Sequence, residues 1–275
     1  MYSRIYVEIG NICNKSCSFC HGTKRQPRQM SFSEFKLTLK KIKHLTDYLY
    51  FHLMGEPLCH PELLRFIEYA KGCGFKVAIT TNGTLLSRLG ESLIASGAYK
   101  VNISLHGFES EMETERYLNA CLDFADKASK CGVLTVLRLW NGYEGGGENA
   151  ETLEKIKAYF RGEEWVFGSR GARIRDKLHL EYGNRFEWPD INARDCGDRV
   201  FCYGLSDHFG ILSDGSVVPC CLDSDGVVTL GNIFTDDIDK ILGSTRAVSI
   251  RNGFKNKKAA EDLCRRCGYA RRFKI

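Results

Sequence analysis

Three cysteines raise the first chemical question. Cys13, Cys17 and Cys20 fall within eight residues at the spacing C-x3-C-x2-C. Thiolates that close in sequence can converge on one metal centre, and soft sulfur ligands suit zinc or an iron–sulfur cluster. A cubane cluster has four irons, so three protein thiolates leave one iron open to a cofactor or substrate. A structural zinc wants four ligands, and His21 can complete that set, although adjacent Cys20 and His21 would have to turn toward one ion. Ordinary packing cysteines are the third reading.

A second group lies near the carboxyl end. Cys202 is followed by twelve residues, Gly215, four more residues and Cys220, and farther on Cys264 and Cys267 form a C-x2-C pair. Residues 208–212 and 216–218 can pair as a hairpin across Asp214-Gly215, a turn pair. That hairpin carries Cys220 back toward Cys202, and the terminal pair can close the set. Four thiolates suit a fully ligated four-iron cluster or a zinc. Cys220 and Cys221 are adjacent, so one of them is expected to ligate, while Cys196 can replace a ligand or stay free. Cys59, Cys73, Cys121 and Cys131 are scattered and read as packing residues.

The elements that must position these groups alternate. Ile5, Val7 and Ile9 against Tyr6 and Glu8 read as a strand. Ser31 with Glu34 is a capping box opening a helix with Phe35, Leu39 and Ile42 on one face. Strands are predicted over 48–54, 76–80, 99–105, 133–139 and 178–182, and helices over 63–70, 85–95, 111–130 and 152–160. A glycine-rich loop covers 142–147. Strict alternation implies a parallel sheet with crossover helices. About six such units precede residue 190, too few for an eight-fold barrel. The expected fold is therefore α/β, a partial (β/α)6 TIM-like barrel over 1–190, with a small hairpin-and-helix domain over 191–275. Active sites in such folds gather at the carboxyl ends of strands, where Gly55-Glu56-Pro57, Thr80 to Gly83, Ser104 and Arg138 fall.

With Phe19 before the third cysteine, this pattern resembles the signature of the radical S-adenosylmethionine (radical SAM) superfamily. Gly55-Glu56-Pro57 resembles the family's glycine–glutamate motif for the amino group of SAM, with Met54 where glycine is common. Thr80, Thr81, Asn82 and Gly83, then Ser104-Leu105-His106-Gly107, resemble later strand ends beside the cofactor. The second cysteine group, with residues 218–223 and 230–233, resembles the SPASM extension in its shortened form, twitch. Full SPASM domains carry further cysteines after the terminal pair, so one auxiliary cluster is expected.

The resemblance implies a chemistry. Cys13, Cys17 and Cys20 would hold a [4Fe-4S] cluster whose open iron is chelated by SAM. One electron would split SAM to methionine and a 5′-deoxyadenosyl radical, which takes a hydrogen atom from substrate. Cys202, Cys220, Cys264 and Cys267 would hold an auxiliary [4Fe-4S] cluster that accepts an electron from a substrate radical or serves folding. Phe19, Gly55, Glu56, Pro57, Thr81, Asn82, Ser104 and Arg138 would line the cofactor site. Ser104 suits either a ribose contact or a turn, and Arg138 either the SAM carboxylate or a surface salt bridge. No catalytic acid or base is assigned, and His52 and His106 read as satisfied core or loop histidines.

Net charge is +5 with acids and bases mixed, which gives no case for a nucleic-acid partner. The basic tail from Arg265 to Lys274 reads as a solvated end. The sequence offers no run of about 18 apolar residues and no export signal, so a cytoplasmic, membrane-free enzyme is expected. In that reducing compartment clustered cysteines point to metal or redox chemistry. The expected function is an oxidoreductase-type radical SAM enzyme acting on a small molecule or peptide. Its electron donor would be a flavodoxin or ferredoxin, with Lys24, Arg25 and Arg28 either meeting that donor or forming a solvated loop. Glu181, Arg185 and Tyr203 are substrate contacts by position only. The rival is a non-catalytic zinc-binding or scaffold protein.

Overall fold

A computed structural model describes residues 1–105, 111–140 and 149–273. The elements through the middle of the chain are β1 (Arg4–Val7), α1 (Phe32–Ile42), β2 (Tyr48–Phe51), α2 (Leu63–Gly72), β3 (Lys76–Thr81), α3 (Leu86–Ala95), β4 (Lys100–Ser104), α4 (Glu111–Lys130), β5 (Leu134–Trp140) and α5 (Ala150–Tyr159). There follow β6 (Val166–Gly168), β7 (Gly171–Arg175), β8 (Leu178–Gly183), β9 (His208–Ile211), β10 (Ser216–Val218), β11 (Gly231–Asn232), α6 (Ile238–Gly243), α7 (Thr245–Lys255) and α8 (Asp262–Arg265). Packing divides the chain into two units, Met1–Glu62 with Phe186–Ile275, and Leu63–Arg185. The expected glycine-rich loop and the His106-Gly107 strand end lie outside the described residues.

In the first unit β1 is the central strand. It runs parallel to β2 on one side and to β9 on the other, with Ile5 opposite both Leu49 and Phe209. The hairpin expected from Asp214-Gly215 forms, with β10 antiparallel to β9 and β11 antiparallel to β10. Alternation along β1 turns Ile5 and Val7 into the core, where both are fully buried. The expected capping box opens α1, which lays Phe35 edge-on against Phe51 of β2 at 5.5 Å. Fully burying an aromatic or branched side chain stabilises by about 1.5–3 kcal/mol, so this face holds β1 and β2 firmly.

In the second unit β3, β4, β5 and β8 run parallel, in the register Thr80–Asn102 and Ser104–Arg138–Glu181. Helices α2, α3, α4 and α5 lie between and beside them in sequence, as the 3.6-residue pattern requires. The second unit also carries an antiparallel pair that the sequence reading did not include. β7 pairs with β8 and β6 with β7, extending that edge. The six expected βα strands are thus β1, β2, β3, β4, β5 and β8. Among the described residues no helix is long and apolar enough to cross a membrane.

Candidate metal centres

The loop after β1 is built to present thiols. Its ends are tied where Gly10 bridges Gln29 antiparallel and Met30 N–H donates to Ile9 O at 2.8 Å. Asn11 adds three bonds: its N–H to Arg28 O (3.1 Å), its amide Nδ2 to Gln26 O (2.9 Å), and Arg28 N–H to its Oδ1 (2.7 Å). Between these ties lie Cys13 and Cys20, both exposed, and Cys17, half-buried. A turn with Cys20 N–H donating to Cys17 O at 3.0 Å brings the last two together. Phe19 and Cys20 line a cleft of about 630 Å³ with His21, Trp188, Arg194 and Arg271. His21 stacks on Trp188 at 6.1 Å, Trp188 meets Phe186 at a 47° tilt at 5.3 Å, and Phe186 meets Tyr269 edge-on at 5.0 Å. This aromatic row joins the first cysteine loop to the segment just after Cys267, and no spacing in the sequence announced it.

In the basic loop two of the three cations are engaged by acids of the same unit. Arg25 is turned inward onto Glu8, and Arg28 pairs with Glu34 at 2.6 Å and donates to Ser213 O. Both are struts within the first unit, and only Lys24 is left exposed of the three.

After β2 the chain passes close to this loop. Gly55 has φ +79°, and a Cβ there would stand 2.6 Å from Gly10 O and 2.9 Å from Asn11 Cα. Only glycine fits, both for the left-handed conformation and for the approach. Glu56 N–H donates to Ile12 O at 2.9 Å, and its buried carboxylate caps the short 3₁₀ turn Pro57–Cys59 by accepting Leu58 N–H at 3.0 Å. The Gly55→Ala change combines a backbone penalty of about 1–2 kcal/mol with a backbone clash. We expect a loss of about 2 kcal/mol or more, read as a melting temperature lower by about 4–8 °C. A melt within 1 °C of the unaltered protein would show that the loop can be re-laid at little cost.

In the second unit, Thr81 Oγ1 accepts Gly83 N–H at 3.0 Å, and Asn82 Oδ1 accepts from Thr84 N–H and its hydroxyl at 3.0 and 2.7 Å. The Tyr117 hydroxyl of α4 stands 2.6 Å from Asn82 O and 3.0 Å from Ser104 O, so it can donate to either strand end. Gly83, at φ +79°, packs on Cys121, whose sulfur would lie 2.6 Å from a Cβ there. Cys121 is buried, as a packing residue should be, and burial pushes its thiol up to about 12. Tyr117 is a positioning group the sequence did not flag. Arg138 reaches its cross-strand neighbour Glu181, with Nε and Nη2 at 3.1 and 3.4 Å from the two carboxylate oxygens. The pair is partly exposed, so it adds only about 0.2–1 kcal/mol.

Cys202, Cys220, Cys264 and Cys267 line one small apolar cavity of about 30 Å³. Among the described residues no three His, Cys, Asp or Glu side chains converge closely enough to hold a single ion, and the four thiols instead ring the cavity. Burial pushes Cys202 up to about 11 and raises Cys220, Cys264 and Cys267. The proximity of Cys202, Cys221, Cys264 and Cys267 raises Cys220 further. Bare thiolates are thus disfavoured, and a metal that binds here must displace protons. Backbone N–H groups already point at the sulfurs: Gly204 N–H donates to Cys202 Sγ at 3.4 Å, and Ala270 and Tyr269 N–H to Cys267. Such bonds stabilise thiolate sulfur in iron–sulfur sites. Cys221 does not line the cavity; its thiol bonds the Tyr6 phenol in an apolar pocket with Leu53, Leu212 and Val218. Cys196 is exposed and takes a hydrogen bond from Arg271.

A family model described as the radical SAM superfamily matches residues 7–160, more than half of the chain. The chain belongs to the radical SAM superfamily. A second model, described as an iron–sulfur cluster-binding domain, SPASM, matches residues 202–268, so this radical SAM protein carries the auxiliary region too. A "Probable GTP 3',8-cyclase" of Methanocella arvoryzae is 24% identical over 304 residues, covering 94% of each chain. An "AdoMet-dependent heme synthase" of Methanosarcina barkeri is 30% identical over 107 residues, 36% of this chain and 30% of that one. Among solved structures, BtrN in complex with AdoMet and 2-DOIA superposes with a TM-score of 0.64 at 18% identity, covering 97% of this chain and 93% of BtrN. Streptococcus suis SuiB bound to S-adenosylmethionine gives 0.63 at 17% identity, covering 96% and 72%. These likenesses place the α/β fold with the TIM-like partial barrels of SPASM and twitch radical SAM enzymes. An enzyme of this superfamily takes SAM and a [4Fe-4S] cluster, and its SPASM region takes auxiliary iron–sulfur.

Proposed function

We propose that this radical SAM enzyme oxidises or otherwise modifies a small molecule or peptide, with the auxiliary site receiving an electron from the substrate radical. One observation carries this reading: four cysteines, Cys202, Cys220, Cys264 and Cys267, ring a single cavity apart from the three in the amino-terminal loop. Four thiolates saturate a four-iron cluster, which leaves it no open iron for substrate and suits it to electron transfer. In this reading residues 1–190 form the catalytic core and 191–275 the auxiliary domain. Cys13, Cys17 and Cys20 hold the primary cluster, which supplies the electron that cleaves SAM. Gly55, Glu56 and Pro57 serve the amino group of SAM, and Phe19, Thr81, Asn82, Ser104 and Arg138 serve the rest of the cofactor. Arg138 would have to exchange Glu181 for the SAM carboxylate, a small cost for a partly exposed pair. A flavodoxin or ferredoxin is the donor, and the cytoplasm is the compartment.

A second reading, a redox-neutral reaction on a nucleotide, draws on the near full-length match to the protein named as a probable GTP 3',8-cyclase. One experiment separates the two. The protein is reconstituted without oxygen, reduced, and given labelled SAM with small-molecule, peptide and GTP candidates in separate arms. Oxidised small molecule or peptide with 5′-deoxyadenosine supports the first reading, and turnover of GTP alone supports the second. Tightly held zinc without iron or sulfide would sink both.

A further inference from the structure

Glu8 is a fully buried carboxylate on the edge of the cysteine loop, and nothing in the proposed chemistry uses it. A buried charge is expensive unless its lone pairs are filled. Arg25 Nη2 lies 2.7 Å from both carboxylate oxygens. The Ser213 hydroxyl and N–H donate to Oε1 at 2.9 and 3.1 Å, and Met54 N–H donates to Oε2 at 3.3 Å. These donors come from three loops. Arg25 follows Cys20 by five residues, Met54 precedes Gly55, and Ser213 sits in the turn of the hairpin that leads to Cys220. The same seam is sewn again farther out. Arg25 Nε donates to Ser224 O at 2.8 Å, Lys24 N–H to Asp225 Oδ1 at 2.8 Å, and Thr23 Oγ1 to the same carboxylate at 2.8 Å.

We propose that Glu8 is the positioning residue that registers the cysteine loop against the Gly55-Glu56-Pro57 loop, and that Ser213 of the auxiliary hairpin completes this anchor. SAM must span from an iron held by the first loop to backbone of the second, so their spacing sets its affinity. The inference rests on the reading that Cys13, Cys17 and Cys20 hold the primary cluster. A hydrogen bond to a charged group is typically worth about 10–100-fold in an equilibrium constant. Glu8→Gln leaves Arg25 buried without its charge partner and can fail to fold. The double variant Glu8→Gln/Arg25→Met removes both charges together and keeps the volume.

The test measures SAM affinity through the SAM-induced change in the electron paramagnetic resonance spectrum of the reduced protein, alongside iron content. In the double variant we expect both clusters retained and SAM bound about 10–100-fold more weakly. Wild-type affinity in that variant, at equal iron content, overturns the proposal. Should the double variant not fold, Ser213→Ala decides. It removes one hydroxyl, and SAM affinity lower by about threefold or more supports the anchor, whereas unchanged affinity overturns it. Unaltered protein that takes up iron at neither site, or shows no spectral change with SAM, sinks the functional reading first and is recognised by that.

Discussion

Replacing Cys13, Cys17 and Cys20 together by alanine is expected to lower iron from about eight to about four per chain and to abolish formation of 5′-deoxyadenosine. The remaining iron is expected at the second group, whose four cysteines line their own cavity. The fold should survive the change. The loop is closed by Gly10 against Gln29 and by three bonds at Asn11, and it is held from behind by Arg25 on Glu8, none of which involves a thiol. Two of the three cysteines are exposed, so their truncation removes little buried surface. Circular dichroism and the melting temperature of the cofactor-free protein should therefore match the parent closely. Iron counting, absorbance and the SAM cleavage assay check the rest. A triple variant that still cleaves SAM would place the open iron elsewhere and end the assignment.

Much of this architecture is legible in the chain because its signals are local. The Ser31–Glu34 box, the alternation at Ile5 and Val7 and the Asp214-Gly215 turn each need only their neighbours. The cysteine spacings are similarly local, and hairpin geometry alone returns Cys220 to Cys202. Long-range pairing leaves no such trace. Nothing near residue 210 announces that β9 will lie parallel to β1, two hundred residues away in sequence. Strand alternation puts Glu8 on the polar face, where a carboxylate reads as solvated. It becomes the most buried acid of the loop only because Arg25 and Ser213 arrive from elsewhere. For the same reason Arg25 reads as surface charge and turns out to be an internal strut, while Arg28 pairs with Glu34 at the partly exposed rim. Arg138 and Glu181 read by position as two separate groups, and the β5–β8 register pairs them with each other. Tyr117 and Trp188 have no chemical signature in one dimension; each matters through what its ring or hydroxyl touches.

The auxiliary group allows the other large effect. Cys220→Ala should leave SAM cleavage running while the oxidised product falls by at least about tenfold, since loss of a ligand costs no less than the 10–100-fold of an outer-shell change. Cys220 is the informative position because Cys202, Cys264 and Cys267, along with its neighbour Cys221, all bear on it. Adjacent Cys221 is expected not to take over, because its thiol bonds the Tyr6 phenol and packs with Leu53 and Val218. Two roles for the cluster predict different outcomes. If it only braces the fold, the variant melts lower, and whatever stays folded at the assay temperature turns SAM cleavage into product as efficiently as before. If it takes the electron, the ratio of product to 5′-deoxyadenosine drops while the folded fraction is unchanged. The ratio is therefore the quantity to measure, at a temperature below the onset of melting. An unaltered ratio would remove the electron-accepting role and leave a four-thiol site whose work is done once the hairpin, α7 and the terminal C-x2-C segment are held together.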